Sequence, residues 1–258
     1  MISKQQIKHL RLLHQKKYRD EYNLFIAEGF KIINEAILCE PQSLDTIIFT
    51  SNSKNHINLQ PANQNTKLIE VSTNEFNKIS SQTNPQEVLA VIKIPQLKLP
   101  ATAQIGDISF VLDKLRDPGN FGTIIRLADW FGVKQIFCSP DTVECYNPKV
   151  VQSSMGAIFR VEIHYVDLNN YLAEIKQNKS HHIYSTSLNG TDLYKTNLSR
   201  PSIIILGNES GGISDNLIEL SDENLLIPNY SSSSDKTESL NVSMAAAIIC
   251  SELRRQTG

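Results

Sequence analysis

The stretch "IIILGNESGG", residues 203–212, runs four apolar residues straight into a loop of Gly, Asn, Glu and Ser. Gly-rich loops that follow buried strands hold nucleophiles, phosphates or cofactors. A nucleophile fits poorly. Residues 207–211 read G-N-E-S-G, not the G-x-S-x-G of a hydrolase elbow. The superficial likeness of "NESGG" to the "DSGG" of chymotrypsin-like proteases conflicts with α/β patterning and scattered cysteines. A phosphate loop fares no better. The chain contains no G-x-x-x-x-G-K-[ST], "GNESGG" is not G-x-G-x-x-G, and Glu209 would repel a pyrophosphate. A cofactor without clustered phosphates fits best.

Working outward, "ISFVLDKL", "QIFCS", "VEIHYV", "HHIYSTS", "SIIILGN" and "NLLIP" are strand-length apolar runs that alternate with helical segments. This pattern predicts an α/β fold with a parallel sheet covered on both faces, whose ligands sit beyond the carboxyl ends of its strands. Before it, "LFIAEG", "TIIFT", "KLIEVS" and "EVLAVIKI" read as strands. They are joined by a helix after a Ser3 cap, a second helix "FKIINEAIL" and a short helix with a turn in "TNEFNKISSQTNPQ". "PQLKLPATAQIGD" at 95–107 has two prolines and no periodicity, so we place the linker there, with domains at 1–98 and 107–258.

At 258 residues and 40% hydrophobic content, the chain can bury proper cores. No apolar run reaches the roughly 18–20 residues of a membrane span, and the start is polar, so a cytoplasmic address without signal peptide is expected. Cys39, Cys138, Cys145 and Cys250 are widely spaced, and we expect reduced thiols and no metal site. The net charge of −2 hides an asymmetry. Residues 1–105 carry 12 Lys and Arg against 9 Asp and Glu, and residues 106–258 carry 13 against 18. The first 19 residues hold Lys4, Lys8, Arg11, Lys16, Lys17 and Arg19 with no acid, which is either a phosphate-binding face or a solvated helix face.

Three strand ends share one character: "LDKLRDPGNFGTIIRLADWFG" (112–132), "LGNESGGIS" (206–214) and "IPNYSSSSDKTESLNVSMAAAI" (227–248). Asn120, Gly122 and Arg126 lie within two helical turns. The third stretch leads into a helix expected near Ser239, with a capping hydroxyl and Asn241 at its positive terminus. Trp130 reads as a core residue rather than a base-stacking platform.

In that order, N-x-G-x-x-x-R, G-x-E-x-x-G and I-P followed by S-L-N-V-S-x-A, the three stretches resemble the motifs of the SpoU/TrmH family of RNA ribose 2'-O-methyltransferases, in the SPOUT class. Through "RDEYNLFIAEGFKIINEAI" and "NPQEVLAVI", the N-terminal part resembles the substrate-binding domain attached to many members. The resemblance implies S-adenosylmethionine as cofactor, held in a C-terminal trefoil knot, with Gly207, Ile227 and Leu240 binding it largely through backbone groups. For Ile227 and Leu240 alone, core packing is the alternative. The resemblance nominates Arg126 as principal catalytic residue, supported by Asn120, Glu209, Ser239 and Asn241. A guanidinium has no acceptor, so phosphate binding beside the target ribose suits Arg126 better than the role of base. An ion pair of Arg126 with Asp129 is the structural alternative. For Glu209 the choice is between orienting Arg126 or an Asn amide and capping the helix at 213–220.

The third motif departs from the family. "NYSSSSDKTE" intervenes without the usual Gly, a loop longer by about four residues, and Ser231–Ser234 read as a tolerated surface insertion. By similarity to the SPOUT class, a homodimer through knot-side helices is expected. The expected partner is RNA, ribosomal in preference to transfer RNA because the N-terminal domain is present, and no membrane is expected. A non-catalytic RNA-binding protein of the same fold is the alternative, and a small-molecule methyltransferase is less favoured.

Overall fold

The computed structural model describes residues 2–57, 65–231 and 239–257. They form two compact units, Met1–Gln96 with Glu144–Arg160, and Leu97–Val143 with Val161–Gly258.

In the first unit, α1 (Lys4–Leu12) starts from a reciprocal capping box. The Gln6 amide N–H donates to Ser3 Oγ at 3.1 Å, and the Ser3 N–H donates to Gln6 Oε1 at 2.8 Å. α2 (Lys16–Tyr22) ends at Asn23 in the left-handed conformation. Next come β1 (Leu24–Glu28), α3 (Phe30–Cys39), β2 (Leu44–Phe49), β3 (Lys67–Glu70), α4 (Thr73–Asn77) and β4 (Val88–Lys93). The sheet order is β1-β4-β2-β3, with β2 and β3 parallel and the β4 pairs antiparallel. Alternation along β1 sends Ile26 to one face, where Leu10, Leu13, Phe76 and Leu89 complete a core. Phe25 points to the other face, with its ring 4.5 Å from that of Tyr146.

Arg19 departs from the basic face expected of the first 19 residues. It is 2% exposed, ion-paired with Glu144 and bonded to the Leu13 carbonyl at 3.0 Å. Desolvation makes a buried guanidinium tolerable only with such partners, so Arg19 joins the first helices to the 144–160 segment instead of facing solvent.

The second unit opens with β5 (Ile108–Leu112), α5 (Pro118–Phe131) and β6 (Gln135–Cys138). The segment that packs with the first unit carries α6 (Pro148–Ser154). Then follow β7 (Glu162–Tyr165), α7 (Leu168–Asn178), β8 (His182–Asp192), β9 (Ser202–Leu206), α8 (Asp215–Leu220), β10 (Glu223–Leu226) and α9 (Val242–Thr257). As the apolar runs predict, the six strands form a parallel sheet, ordered β10-β8-β9-β5-β6-β7. Val111, Ile203 and Ile205 pack with Leu172 and Leu217 of α7 and α8. The alternate positions Phe110, Leu112 and Ile204 are also buried, so both faces are covered. The strand order reverses between β5 and β9, which brings the turns after these two strands to one crevice. Gly190 lies where β8 shifts register against β10, and a Cβ there would stand 2.4 Å from the Asn224 carbonyl oxygen.

No helix among the described residues is long and apolar enough to cross a membrane. Among the same residues no cluster of His, Cys, Asp and Glu could hold a metal ion. Burial pushes the Cys250 thiol up to about 12, which keeps it protonated and unreactive.

Candidate active site

The turns after β5 and β9 are stitched together. The Asp113 N–H donates to the Leu206 carbonyl at 2.9 Å, and its buried carboxylate accepts the Ser214 N–H at 2.7 Å. Asn208 Nδ2 donates to the Lys114 carbonyl at 2.7 Å, and Lys114 Nζ donates to Ser214 Oγ at 2.9 Å. Between these ties the 207–212 loop folds back on itself through paired Asn208 and Gly212 backbone bonds of 3.0 and 2.9 Å. Gly207 is required by this fold-back. A Cβ there would meet the Gly212 carbonyl carbon at 2.3 Å and the Ile213 nitrogen at 2.6 Å, both backbone atoms that cannot swing away.

The opposite wall is made by two helix starts. Asp117 caps α5, its Oδ1 accepting the Asn120 N–H at 2.7 Å, and Pro118 occupies the first helical position. α9 begins at Val242, later than expected, and its cap is Asn241 rather than Ser239. Asn241 Oδ1 accepts the Ser243 N–H and Oγ–H at 2.9 and 2.6 Å. Asn120 and Asn241 meet at one end of the pair, and at the other Arg254 donates to the Phe131 carbonyl at 2.6 Å, so α5 and α9 run parallel.

Across this gap runs a directional row of side chains. Because Asn241 Oδ1 is committed to its own helix, Nδ2 must face Asn120, and it donates to Asn120 Oδ1 at 2.9 Å. Asn120 Nδ2 in turn donates to Glu209 Oε1 at 2.5 Å. The orientation of both amides follows from their partners. The row ends on an exposed carboxylate beside two helix N-termini, whose dipoles favour negative charge.

One residue from each motif is therefore brought together: Asn120, Glu209 and Asn241. Glu209 is exposed and holds the Asn120 amide; α8 is entered through Ser214 without a side-chain cap, so the capping alternative for Glu209 is set aside. Arg126 is not part of the row. It is exposed on α5, with Asp129 three positions further along the helix. Ser239 is exposed before α9, with no hydrogen bond among the described residues. Leu240 is 52% exposed and Ile227 half-buried, neither a core residue. Of the inserted serines, Ser231 is exposed, and Ser232 to Ser234 lie outside the described residues.

Trp130 corrects the sequence reading: it is 84% exposed. The buried stripe of α5 is Phe121, Ile124, Ile125 and Ala128, which leaves Thr123, Arg126 and Trp130 on the solvent side. The sequence reading missed Asp113, Lys114 and Asn208. The usable signal was an acid closing the apolar run "ISFVLD".

Residues 107–251 match the SpoU rRNA Methylase family, and residues 4–90 match the MRM3-like substrate binding domain. The chain is 32% identical to the 23S rRNA (guanosine(2553)-2'-O)-methyltransferase RlmP of Bacillus subtilis (strain 168), over 97% of this chain and 96% of the relative. A TrmH-family structure from Porphyromonas gingivalis superposes with a TM-score of 0.87 at 34% identity over 99% of each chain. An AdoMet-bound rRNA methyltransferase from Sinorhizobium meliloti does so with a TM-score of 0.83 at 26% identity, over 99% of this chain and 97% of that one. With a family match over more than half its length and three motifs built into one hydrogen-bonded site, this chain belongs to the SpoU rRNA methylase family.

Proposed function

We propose that the chain transfers the methyl group of S-adenosylmethionine to a ribose 2'-hydroxyl of RNA, and that this RNA is of the large ribosomal subunit. The Asn241–Asn120–Glu209 row carries the reading, because it joins all three motifs where two helix N-termini converge. The names of RlmP and of RlmB from Neisseria meningitidis, which is 26% identical over 88% of this chain, favour ribosomal over transfer RNA.

The residues suit the cofactor. The 207–212 loop has no Lys or Arg and one carboxylate, which disfavours polyphosphates and favours a cationic ligand. Gly207, Ile227 and Leu240 would hold it, through backbone groups and partly exposed apolar side chains. When bound, S-adenosylmethionine supplies an electrophilic methyl on sulfonium. The close approaches at Gly207 and Gly190 are in keeping with the tightly crossing segments of a trefoil knot.

Arg126, exposed on α5, binds the phosphate beside the target ribose with paired hydrogen bonds and so orients the hydroxyl. Asn120 and Asn241 hold Glu209 in one position. Ser239 contributes from the entrance to α9.

A second copy of the chain completes the surface. Trp130 shares the exposed face of α5 with Arg126, and Met244 is 58% exposed at the start of α9. Large apolar groups of this kind mark interfaces. We place the homodimer contact on these helices, and the protein in the cytoplasm with its ribosomal substrate.

Isotopically labelled S-adenosylmethionine, incubated with the protein and with unmodified ribosomal and transfer RNAs, tests the reading. A ribose-labelled nucleoside from large-subunit RNA is the expected product. RNA binding with no label and no cofactor binding would favour a non-catalytic RNA-binding protein of the same fold.

A further inference from the structure

The N-terminal unit holds a cavity of about 580 Å³ between α1 and the sheet at β2 and β3. Its walls are largely apolar, with Leu12, Leu24 and Ile69 among them, and Lys8 and Lys67 also line it. Lys8 also lines a second hollow along α1, of about 390 Å³, with Lys4 and Arg11. Positions 4, 8 and 11 share one helix face. All three side chains are exposed, and among the described residues none of them, nor Lys67, makes a hydrogen bond or ion pair.

The cavity is not purely apolar. Asp45 is one of its lining residues, with Oδ2 accepting the Thr46 hydroxyl at 2.7 Å. Gln5 also lines it and makes no hydrogen bond among the described residues. A purely apolar occupant would bury Asp45 without compensation, which is costly. The occupant therefore has flat apolar faces, a donor-bearing edge and neighbouring negative charge. An unstacked nucleobase in a single-stranded segment has all three properties.

We propose that this cavity receives one nucleobase of the RNA, with flanking phosphates on Lys4, Lys8 and Arg11. The inference rests on the RNA reading given under Proposed function, and it assigns α1 as the contact surface of the N-terminal unit.

The test uses the full chain and a short single-stranded RNA carrying one 8-azidoadenosine, cross-linked by ultraviolet light and mapped by mass spectrometry. Adducts are expected in residues 1–12, 44–48 or 67–69, and adducts confined to other peptides overturn the proposal. Lys8→Glu is expected to weaken binding of the same RNA by about tenfold. Replacing Lys4, Lys8 and Arg11 together by Ala should lower the slope of log affinity against log salt by about 2, three phosphates at roughly 0.7 each. Wild-type affinity and slope in these variants overturn it. Leu12→Trp, which fills the cavity without changing the cations, should lose the cross-link while still binding S-adenosylmethionine. An unchanged cross-link in that variant overturns the base pocket, as does binding to anionic phosphatidylglycerol vesicles but not to RNA. The two readings fail separately. A wild-type protein that cross-links here but methylates no RNA breaks the methyltransferase reading alone; one that methylates ribosomal RNA with the same KM in the triple variant breaks this proposal alone.

Discussion

The loop cluster of the C-terminal unit and the α1 face of the N-terminal unit both offer polar groups to solvent, but they hold them in opposite ways. In the cluster, Asn241, Asn120 and Glu209 bond in a fixed direction, Asn241 oriented by its own helix and Asn120 by Asn241. On α1, Lys4, Lys8 and Arg11 stand exposed on flexible stems, without partners among the described residues. Preorganised dipoles act on one reacting geometry and lose most of their value when one member goes. Free cations act on any polyanion, nearly additively and under salt screening. Substitutions in the first region should therefore strike turnover, and those in the second RNA affinity.

Arg126 tests that division hardest, because it is an exposed cation on the site helix. Arg126→Ala should abolish measurable methyl transfer, a loss of about 10²–10⁴-fold in kcat/KM for two charge-assisted hydrogen bonds of roughly 1.5–3 kcal/mol each. S-adenosylmethionine binding, followed by calorimetry, should be unchanged. Arg126→Lys should be damaged as well, since the ammonium lacks the planar fork. Near-normal turnover in either variant would move Arg126 into the same class as Lys8.

Asn120→Asp probes the direction of the row. It sets a second carboxylate against Glu209, where the amide now donates at 2.5 Å. Two such carboxylates cannot easily both ionise, so one pKa must rise. Activity should fall about 10–100-fold at neutral pH, the loss of one hydrogen bond to a charged group plus repulsion. Relative to the unmodified protein, it should recover as pH falls and one carboxyl takes up a proton. A variant/wild-type ratio flat with pH would show that Asn120 does not donate to Glu209.

Much of this architecture was legible in the chain. The six apolar runs gave a parallel sheet, because continuous hydrophobicity over strand length requires burial on both faces. The three site segments were legible from their Gly, Asn and Ser content at strand ends. What escaped had identifiable causes. Trp130 was read by residue type when its phase on α5, six positions after Ile124, puts it outside the buried stripe. The hydroxyl of "SLN" reads as the cap of a helix near Ser239, whereas α9 starts at Val242 and Asn241 caps it. The pairing of Arg19 with Glu144 spans 125 positions, beyond any local pattern, and so Arg19 was counted as surface charge.

Trp130 sharpens the comparison from a third side, since it is exposed and apolar. Trp130→Lys should shift the protein from two chains to one in gel filtration at micromolar concentration. Removal of one large aromatic from an interface centre typically costs at least about 2 kcal/mol, or some 30-fold in dimer affinity. A one-chain mass for the unmodified protein would remove the dimer altogether.

The smallest effect is expected at the far end of α9, where the same helix serves stability alone. Glu252 accepts from Arg255 Nη2 at 2.6 Å and from Gln256 Nε2 at 2.7 Å. Gln256 is bonded in turn to the Leu198 N–H and the Thr196 carbonyl, which ties the helix end to that loop. The Arg255 bonds first, then the Gln256 bond, hold the Glu252 carboxyl down at about 2, below its ordinary 4.5. Because the folded value is depressed, its stabilisation is complete above 4.5 and is lost as pH falls toward about 2. Glu252→Gln should therefore flatten the fall in Tm across that acid window while leaving methyl transfer at neutral pH within about twofold, as expected of a site remote from the chemistry. If the variant instead lost turnover at neutral pH, the two ends of α9 would be coupled, and the Asn241 cap would depend on how its distant end is tied.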